Sequence, residues 1–459
     1  MSLFSYPPWA GRRHDLTMSH HLRALRHRNF RLLFLGQSLS AVGDQVVIVA
    51  LALYIVARTG SATDLGIVLA AQSLPLIVLV LFGGVWADRL PRHRLMMTTD
   101  IARALLHGAL AALILLGGAS IAEMVVIEVL FGAARAFFQP AYTGLLPQTI
   151  PEDLTQDARA LSATTTSLAI LVGPALGAGL VLAFGAGVAF GLDAATFAVS
   201  AVLLAGIHPR PRGSEPPRQS VANELRAGWH EVGSRPWVWV TIAAFAGVVL
   251  CAYAMWVTLT PIITRDFYGS AAIFGVLESV TGGGAVAGAL IGIRWRPRRP
   301  LAVGLSLALL WPAQSIGLAL LAPLAVVIGL AFVGGLVFSL FEVWWETALA
   351  RHIPAHALSR VSSYDWMGSL ALLPLGQAIA GPLAVLLGVR TVMGVGAGIG
   401  VVLIALALLP RSTRQLHGAA PGSAEQLGDD VGVEAGGEPE VAYVDPLVRV
   451  VHERGGLEQ

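Results

Sequence analysis

Residues 84–94 read Gly84-Val85-Trp86-Ala87-Asp88-Arg89-Leu90-Pro91-Arg92-His93-Arg94, one acid set among arginines. Apolar runs at 64–87 and 95–118 flank this stretch. Each run is long enough to cross a bilayer, since a span needs about 20 apolar residues at ~1.5 Å rise. The charged stretch is therefore a tight connection between two membrane spans. Its acid sits at a helix end beside guanidinium groups, where it can latch onto a neighbouring helix terminus.

Working outward, the same pattern of long apolar run and short polar turn recurs along the chain. Runs fall at 31–57, 64–87, 95–118, 121–142, 162–183, 188–207, 237–263, 270–293, 301–322, 324–349, 361–387 and 391–409. Of the 459 residues 55% are hydrophobic and 13% charged, against roughly 25% charged in a soluble domain. The mean hydropathy of +0.71 requires many lipid-facing surfaces rather than one buried core. An all-α integral membrane protein of about twelve spans follows. The runs are Gly- and Ala-rich, which suits close helix packing in lipid. Pro75, Pro140, Pro174, Pro312, Pro374 and Pro382 fall in or near spans, where kinks are tolerated if neighbours satisfy the freed carbonyls.

All 30 basic residues are arginine. With the N-terminus inside, the inner loops hold Arg12, Arg13, Arg23, Arg26, Arg28, Arg31, Arg89, Arg92, Arg94 and Arg159. They go on to hold Arg210, Arg212, Arg218, Arg226, Arg235, Arg294, Arg296, Arg298, Arg299, Arg351, Arg360, Arg411 and Arg414. The outer loops hold Arg58, Arg265 and Arg390. The positive-inside rule then places both termini in the cytoplasm of a bacterial inner-membrane protein. The first 30 residues are polar and carry no cleavable signal pattern, so the first span serves as the insertion signal.

The longest internal polar stretch, 208–236, separates two sets of six spans. This gives a cytoplasmic segment 1–30, a first half 31–207, a central loop 208–236, a second half 237–410 and a disordered tail 411–459. Gly173-Pro174 and Gly381-Pro382 lie 208 positions apart, as do Gly84 and Gly292. A parallel repeat of six-helix halves is a transporter architecture, with the substrate site between the halves near mid-membrane.

The Gly84–Arg94 stretch, with Gly84, Asp88, Arg89 and Arg92, resembles the cytoplasmic G-x-x-x-D-R-x-G-R-[RK] signature of the major facilitator superfamily, with Pro91 in place of a glycine. The matching loop Arg294–Arg299 lacks the acid. Leu171-Val-Gly173-Pro174-Ala-Leu-Gly177-Ala178-Gly179 resembles that superfamily's antiporter motif, with Ala169 and Ala178 replacing glycines. Arg28-Asn-Phe-Arg31, Gly36-Gln37, Gly43-Asp44, Phe138-Gln-Pro140-Ala141, Leu146-Pro147 and Leu192-Asp193-Ala-Ala-Thr-Phe197 are similar to the macrolide-efflux and enterobactin-exporter branch. The resemblance runs over most of residues 25–410. It implies a two-half fold, a cavity lined by spans one, four, seven and ten, export in exchange for protons, and a monomer.

Ionisable groups inside spans are costly, at least ~2.5–3.5 kcal/mol at mid-bilayer, and so are functional candidates. Asp44 lies near the middle of span one. Glu128 and Arg135 are seven apart on one face of span four. We read Asp44 as the proton site, Glu128 as a second, and Arg135 as their electrostatic partner. Glu278 and Glu342 are candidate cavity linings. Asp193 reads as structural, Asp100 and Arg103 as a local i,i+3 pair, and Asp365 and Arg360 as interfacial. Trp86, Trp256, Trp344 and Trp345 read as interface anchors.

Cys251 stands alone in an apolar run, which excludes a disulfide framework or cysteine metal site. Without lysine there is no P-loop, so ATP-driven export is excluded, and no enzyme motif stands out. The arginine loops face anionic lipid rather than nucleic acid. No cofactor is expected; the partners are protons, lipid and a small amphiphilic compound such as a drug, natural product or siderophore. Two alternatives stay open: a lysophospholipid or lipid flippase on the same fold, and a non-transporting membrane sensor or scaffold.

Overall fold

Glycines and short polar caps cut the apolar chain into rods. The first, α1 (Arg28–Thr59), ends where Gly60 adopts φ 65° and returns its N–H to Val56, a left-handed cap open to glycine at little cost. One residue on, Ser61 Oγ accepts the Asp64 N–H and starts α2 (Ala62–Arg89). Then come α3 (Arg92–Leu116) and α4 (Ile121–Thr149). Ser120 and Glu123 form a reciprocal capping box at the start of α4, satisfying donors that have no intrahelical partner. The half closes with α5 (Thr155–Phe184) and α6 (Ala186–Ala205).

The second half repeats the series: α7 (Pro236–Tyr268), α8 (Ile273–Arg294), α9 (Pro300–Ala319), α10 (Leu324–His352), α11 (Arg360–Leu387) and α12 (Val389–Ala407). The computed structural model describes residues 22–210 and 221–416; within these, the side chains of 22, 81–85, 87, 88, 221–225, 227, 355, 356 and 359 are outside the description. Eleven helices among the described residues are long and apolar enough to cross a membrane. With α4, 29 residues long and carrying Glu128 and Arg135, they form the all-α, two-half architecture. Large apolar side chains such as Leu105, Leu116, Leu182, Val202 and Val385 face outward, as lipid-facing positions must.

Some spans are broken. In α7 a π turn at Val249–Tyr253 separates two α-helical segments, with Gly396 of α12 pressed against the Cys251 carbonyl. Pro312 and Pro374 mark the breaks in α9 and α11, whereas Pro75, Pro140, Pro174 and Pro382 lie inside continuous helix. The stretch read as a central loop contains a helix, Val221–Gly233. Residues 1–21, 211–220 and most of the expected tail lie outside the described residues.

Helix pairing repeats between halves. In the first, α2 packs on α4, α3 on α6, and α1 on α5 and α6; in the second, α8 packs on α10, α9 on α12, and α7 on α11 and α12. Glycine makes the close crossings: Gly132 meets the Gln72 carbonyl, and Gly284 and Gly335 meet those of Phe332 and Thr281. Small residues let backbones approach to this range.

The halves meet through α2 with α11 and α5 with α8. Ser73 Oγ donates to Gln377 Oε1 at 2.5 Å, Arg265 Nη1 to the Val56 carbonyl at 3.1 Å, and the Ala175 N–H to Ser279 Oγ at 2.9 Å. Gly66 and Gly381 meet the backbone of Gln377 and of Thr63. These contacts run from the arginine-poor end, where α1 ends and α2 begins, toward the middle of the bundle. The main partners of α4 and of α10 lie in their own halves.

Candidate functional site

Polar residues on α3 set up the interior of the first half. Asp100, Arg103 and His107 fall at i, i+3 and i+7, on one helical face, and all three are buried. The Asp100–Arg103 ion pair is formed, as the spacing implied. Asp100 Oδ2 also accepts from Ser200 Oγ of α6 at 2.6 Å, and Ser200 Oγ accepts from Gln37 Nε2 of α1 at 3.0 Å. The Arg103 guanidinium lies over Phe138 and Phe197, 4.1 and 4.3 Å from the ring centroids. Two ring faces and a carboxylate thus replace the hydration of a buried cation.

One turn further along, His107 Nδ1 lies 2.5 Å from Asp193 Oδ2 of α6. On the other side His107 Nε2 lies 3.7 Å from Glu128 Oε1 of α4. Glu128 Oε2 accepts from Gln72 Nε2 of α2 at 2.7 Å. The imidazole stacks on Phe131 at 3.9 Å, with the edges of Phe190 and Phe197 beside it. His107 Nε2, Glu128 Oε1 and Asp193 Oδ1 are buried without a hydrogen-bond partner. Such orphan atoms are costly in a structural core, so this cluster is the strongest functional candidate among the described residues.

Asp44 stands at the edge of the cluster, half-buried on α1. Gly43 beside it faces Asp193 Oδ1 and Thr196 Oγ1. Its charge acts on Asp100, His107 and Asp193. The expected pairing of Asp44 with Arg135 is not formed; neither has an ion-pair partner among the described residues. Seven residues along α4 is about two turns, roughly 10 Å along the helix axis, which carries Arg135 beyond the Glu128 cluster. There its field reaches Glu128 and, across the seam, Tyr253 of α7.

On the second half's side of the seam, Glu278 Oε1 accepts from Trp256 Nε1 at 2.6 Å and acts on Tyr253. Glu342 is exposed on α10 near Glu346 and Asp365. Trp86 is exposed, but Trp256, Trp344 and Trp345 are buried and so do not serve as interface anchors. Each spends its indole N–H internally, on Glu278, on the Trp295 carbonyl and on Asp365. Asp193 is buried against His107 and belongs to the cluster. The sequence reading passed over His107; its place at i+7 from Asp100 was the available signal.

The two motif segments are placed differently. Gly173 and Gly177 of α5 press against Gln45 and the Val46 backbone of α1, next to Asp44. Pro174 has no N–H, so the Ile170 carbonyl one turn back loses its helical partner. Gly282 of α8 approaches that carbonyl, and Gly275 approaches the carbonyl of Pro174 itself, with 2.9 and 2.7 Å left for a Cβ at the two sites. The antiporter-like segment is thus wedged between the Asp44 helix and the opposite half. In the Gly84–Arg94 stretch, Arg89 is exposed and Arg92 Nη1 donates to the Gly144 carbonyl of α4 at 2.7 Å. The side chain of Asp88 lies outside the described residues, as does the surrounding of Gly84.

Two pseudo-equivalent six-helix halves, joined at one end and carrying buried carboxylates, define a transporter of the secondary type rather than an enzyme. Residues 33–371 match the Major Facilitator Superfamily, and the chain belongs to that family. It is 29% identical over 370 residues to the multidrug efflux pump Tap of Mycolicibacterium fortuitum, covering 77% of this chain and 88% of that one. To the putative bacilysin exporter BacE of Bacillus subtilis it is 27% identical over 276 residues, covering 58% and 66%. Among solved structures, a bacterial homolog of the human lysosomal transporter Spinster, inward-facing and unoccupied, shares the fold with TM-score 0.66 and 15% identity over 88% of this chain and 99% of that one. The nucleoside transporter NupG does so with TM-score 0.66 and 14% identity over 83% and 98%.

Proposed function

We propose that this chain exports a small amphiphilic organic compound from a bacterial cell by exchange for protons. The observation that carries this reading is the buried acid cluster of the first half, held by α1, α2, α3, α4 and α6 and bordered by the half-buried Asp44 of α1. Charge is costly inside the bilayer, so a carboxylate kept there is a candidate for proton or substrate coupling. Protonation of Asp44 or Glu128 changes the field at Arg135 and hence the relative energies of the two seam states. A substrate that engages the same acid displaces the proton, which gives obligatory exchange.

Alternating access comes from rocking of the two halves about the cavity between α1, α4, α7 and α10. Glu278, held by the indole N–H of Trp256, supplies an acid to that cavity. Glu342 lines its entrance, and Gly84, Asp88, Arg89 and Arg92 form the gate at the arginine-rich end. The arginine distribution supports cytoplasmic termini in an inner membrane. The names of the similar efflux and export proteins support the outward direction.

The test is transport in proteoliposomes under an imposed pH gradient, with a panel of lipophilic cations and macrolide-like compounds. Wild type moves a compound in the direction opposite to proton flow, and Asp44→Asn loses the gradient-driven component. Gradient-driven transport that persists unchanged in Asp44→Asn refutes the coupling role of Asp44.

A further inference from the structure

Asp44 on α1 and Glu128 on α4 are the two carboxylates assigned to proton coupling, yet no contact joins them directly. The buried groups between them do. Glu128 Oε1 and His107 Nε2, 3.7 Å apart, face each other with no other partner. His107 Nδ1 is in hydrogen-bond contact with Asp193 Oδ2 at 2.5 Å. The second oxygen, Asp193 Oδ1, has no partner and faces the Cα of Gly43, the residue before Asp44. Unpaired atoms thus stand at both ends of one Glu–His–Asp chain: one end is Glu128 itself, and the other lies against Gly43, the residue before Asp44.

We propose that His107 and Asp193 form a proton relay joining Glu128 to Asp44, with the proton passing through the imidazole. The inference rests on the proton-coupled reading above. A proton on Glu128 Oε1 passes to His107 Nε2, closing the 3.7 Å gap by rotation of the carboxyl group. The Nδ1 proton of the ring passes to Asp193 Oδ2. Glu128 is left as carboxylate, Asp193 as carboxylic acid, and the imidazole is neutral before and after. Rotation of the Asp193 carboxyl group then turns the protonated oxygen from His107 toward α1, where the proton passes to the Asp44 carboxylate, and the reverse sequence runs in the other half-cycle.

The surroundings suit this task. The charged and titratable groups that act on His107 are Glu128 from α4, Asp193 from α6 and Asp44 from α1. On its own helix Arg103 is held by Asp100, and its field reaches Asp193. From α2 the neutral Gln72 fixes Glu128 through Oε2 and leaves Oε1 free. Phe131 holds the imidazole plane by stacking, so the ring is oriented while its two nitrogens stay free to exchange protons. A purely structural histidine would not leave three buried polar atoms unpaired around it.

The test needs no knowledge of the substrate. Spin labels at Glu152→Cys and Arg298→Cys, exposed positions in opposite halves, report opening of the seam in a Cys251→Ser background. The full chain is reconstituted in nanodiscs, and the distance distribution is measured in acidic and in alkaline buffer. Wild type is expected to redistribute between two populations with pH, and His107→Gln, which keeps an amide N–H for Asp193 but cannot relay a proton, to lose that response. Ser200→Ala, which removes the hydroxyl bonded to Asp100 and Gln37 but leaves the Glu128–His107–Asp193 chain intact, keeps it. A wild-type response in His107→Gln overturns the relay while leaving proton coupling intact. A wild type indifferent to pH overturns proton coupling, and the relay with it. If His107→Gln does not elute as a monodisperse protein, Asp193→Asn carries the same comparison with the same two readings.

Discussion

The seam between the halves can be biased by a single methyl group. Gly66 of α2 lies so close to the Gln377 carbonyl of α11 that an alanine Cβ would overlap the oxygen. Gly381 stands in the same relation to the Thr63 backbone. Neither neighbour is a flexible side chain, so the methyl must push helices apart. Overpacking of this kind costs about 1–3 kcal/mol. On the proposed rocking of the halves the contact exists only while the arginine-poor end is closed, so the cost falls on that state alone. The equilibrium between closed and open states then moves by roughly 5- to 150-fold. The matched control is Gly132→Ala, whose Cβ would meet the Gln72 carbonyl within the first half and so burdens both states alike. Spin labels at the arginine-poor end, measured with Gly66→Ala, should show the open population rise, whereas Gly132→Ala should lower thermal stability without changing the distribution. An unchanged distribution in Gly66→Ala, or an equal shift in Gly132→Ala, refutes the assignment of these glycines to the moving seam.

Other outcomes follow from the buried network. Asp100→Ala leaves the Arg103 charge buried without its acid and should cost about 3–5 kcal/mol, seen as a large fall in thermal unfolding temperature. Replacing both, Asp100→Leu with Arg103→Met, should restore much of that loss; no recovery would mean the pair is held by something other than mutual neutralisation. Ser120→Ala removes the capping box of α4 and should cost about 1 kcal/mol with transport unaltered, since the cap lies far from the cluster along the helix. Trp256→Phe keeps the ring but removes the donor to Glu278. We expect a loss of about 1–3 kcal/mol and an altered KM with kcat less affected, checked by transport kinetics.

Much of this protein was legible in its sequence because bilayer physics acts on local composition. An apolar run of span length must form a helix to satisfy its own backbone, and arginine counts on alternate loops indicate which ends lie together. That is why the two-half, all-helical architecture and the Asp100–Arg103 pair could be read from the sequence. Pairings between helices are another matter. Asp44 and Arg135 are the charges a reader would join, but which faces of α1 and α4 meet depends on helix rotation, and a rotation of half a turn changes every partner. Only the tertiary structure sets Gly43, next to Asp44, against Asp193, brings the Arg135 charge to bear on Tyr253, buries Trp256, Trp344 and Trp345, and brings His107 between Glu128 and Asp193. Those outcomes are decided by glycine contacts and interhelical hydrogen bonds tens to hundreds of residues apart, which no local pattern encodes.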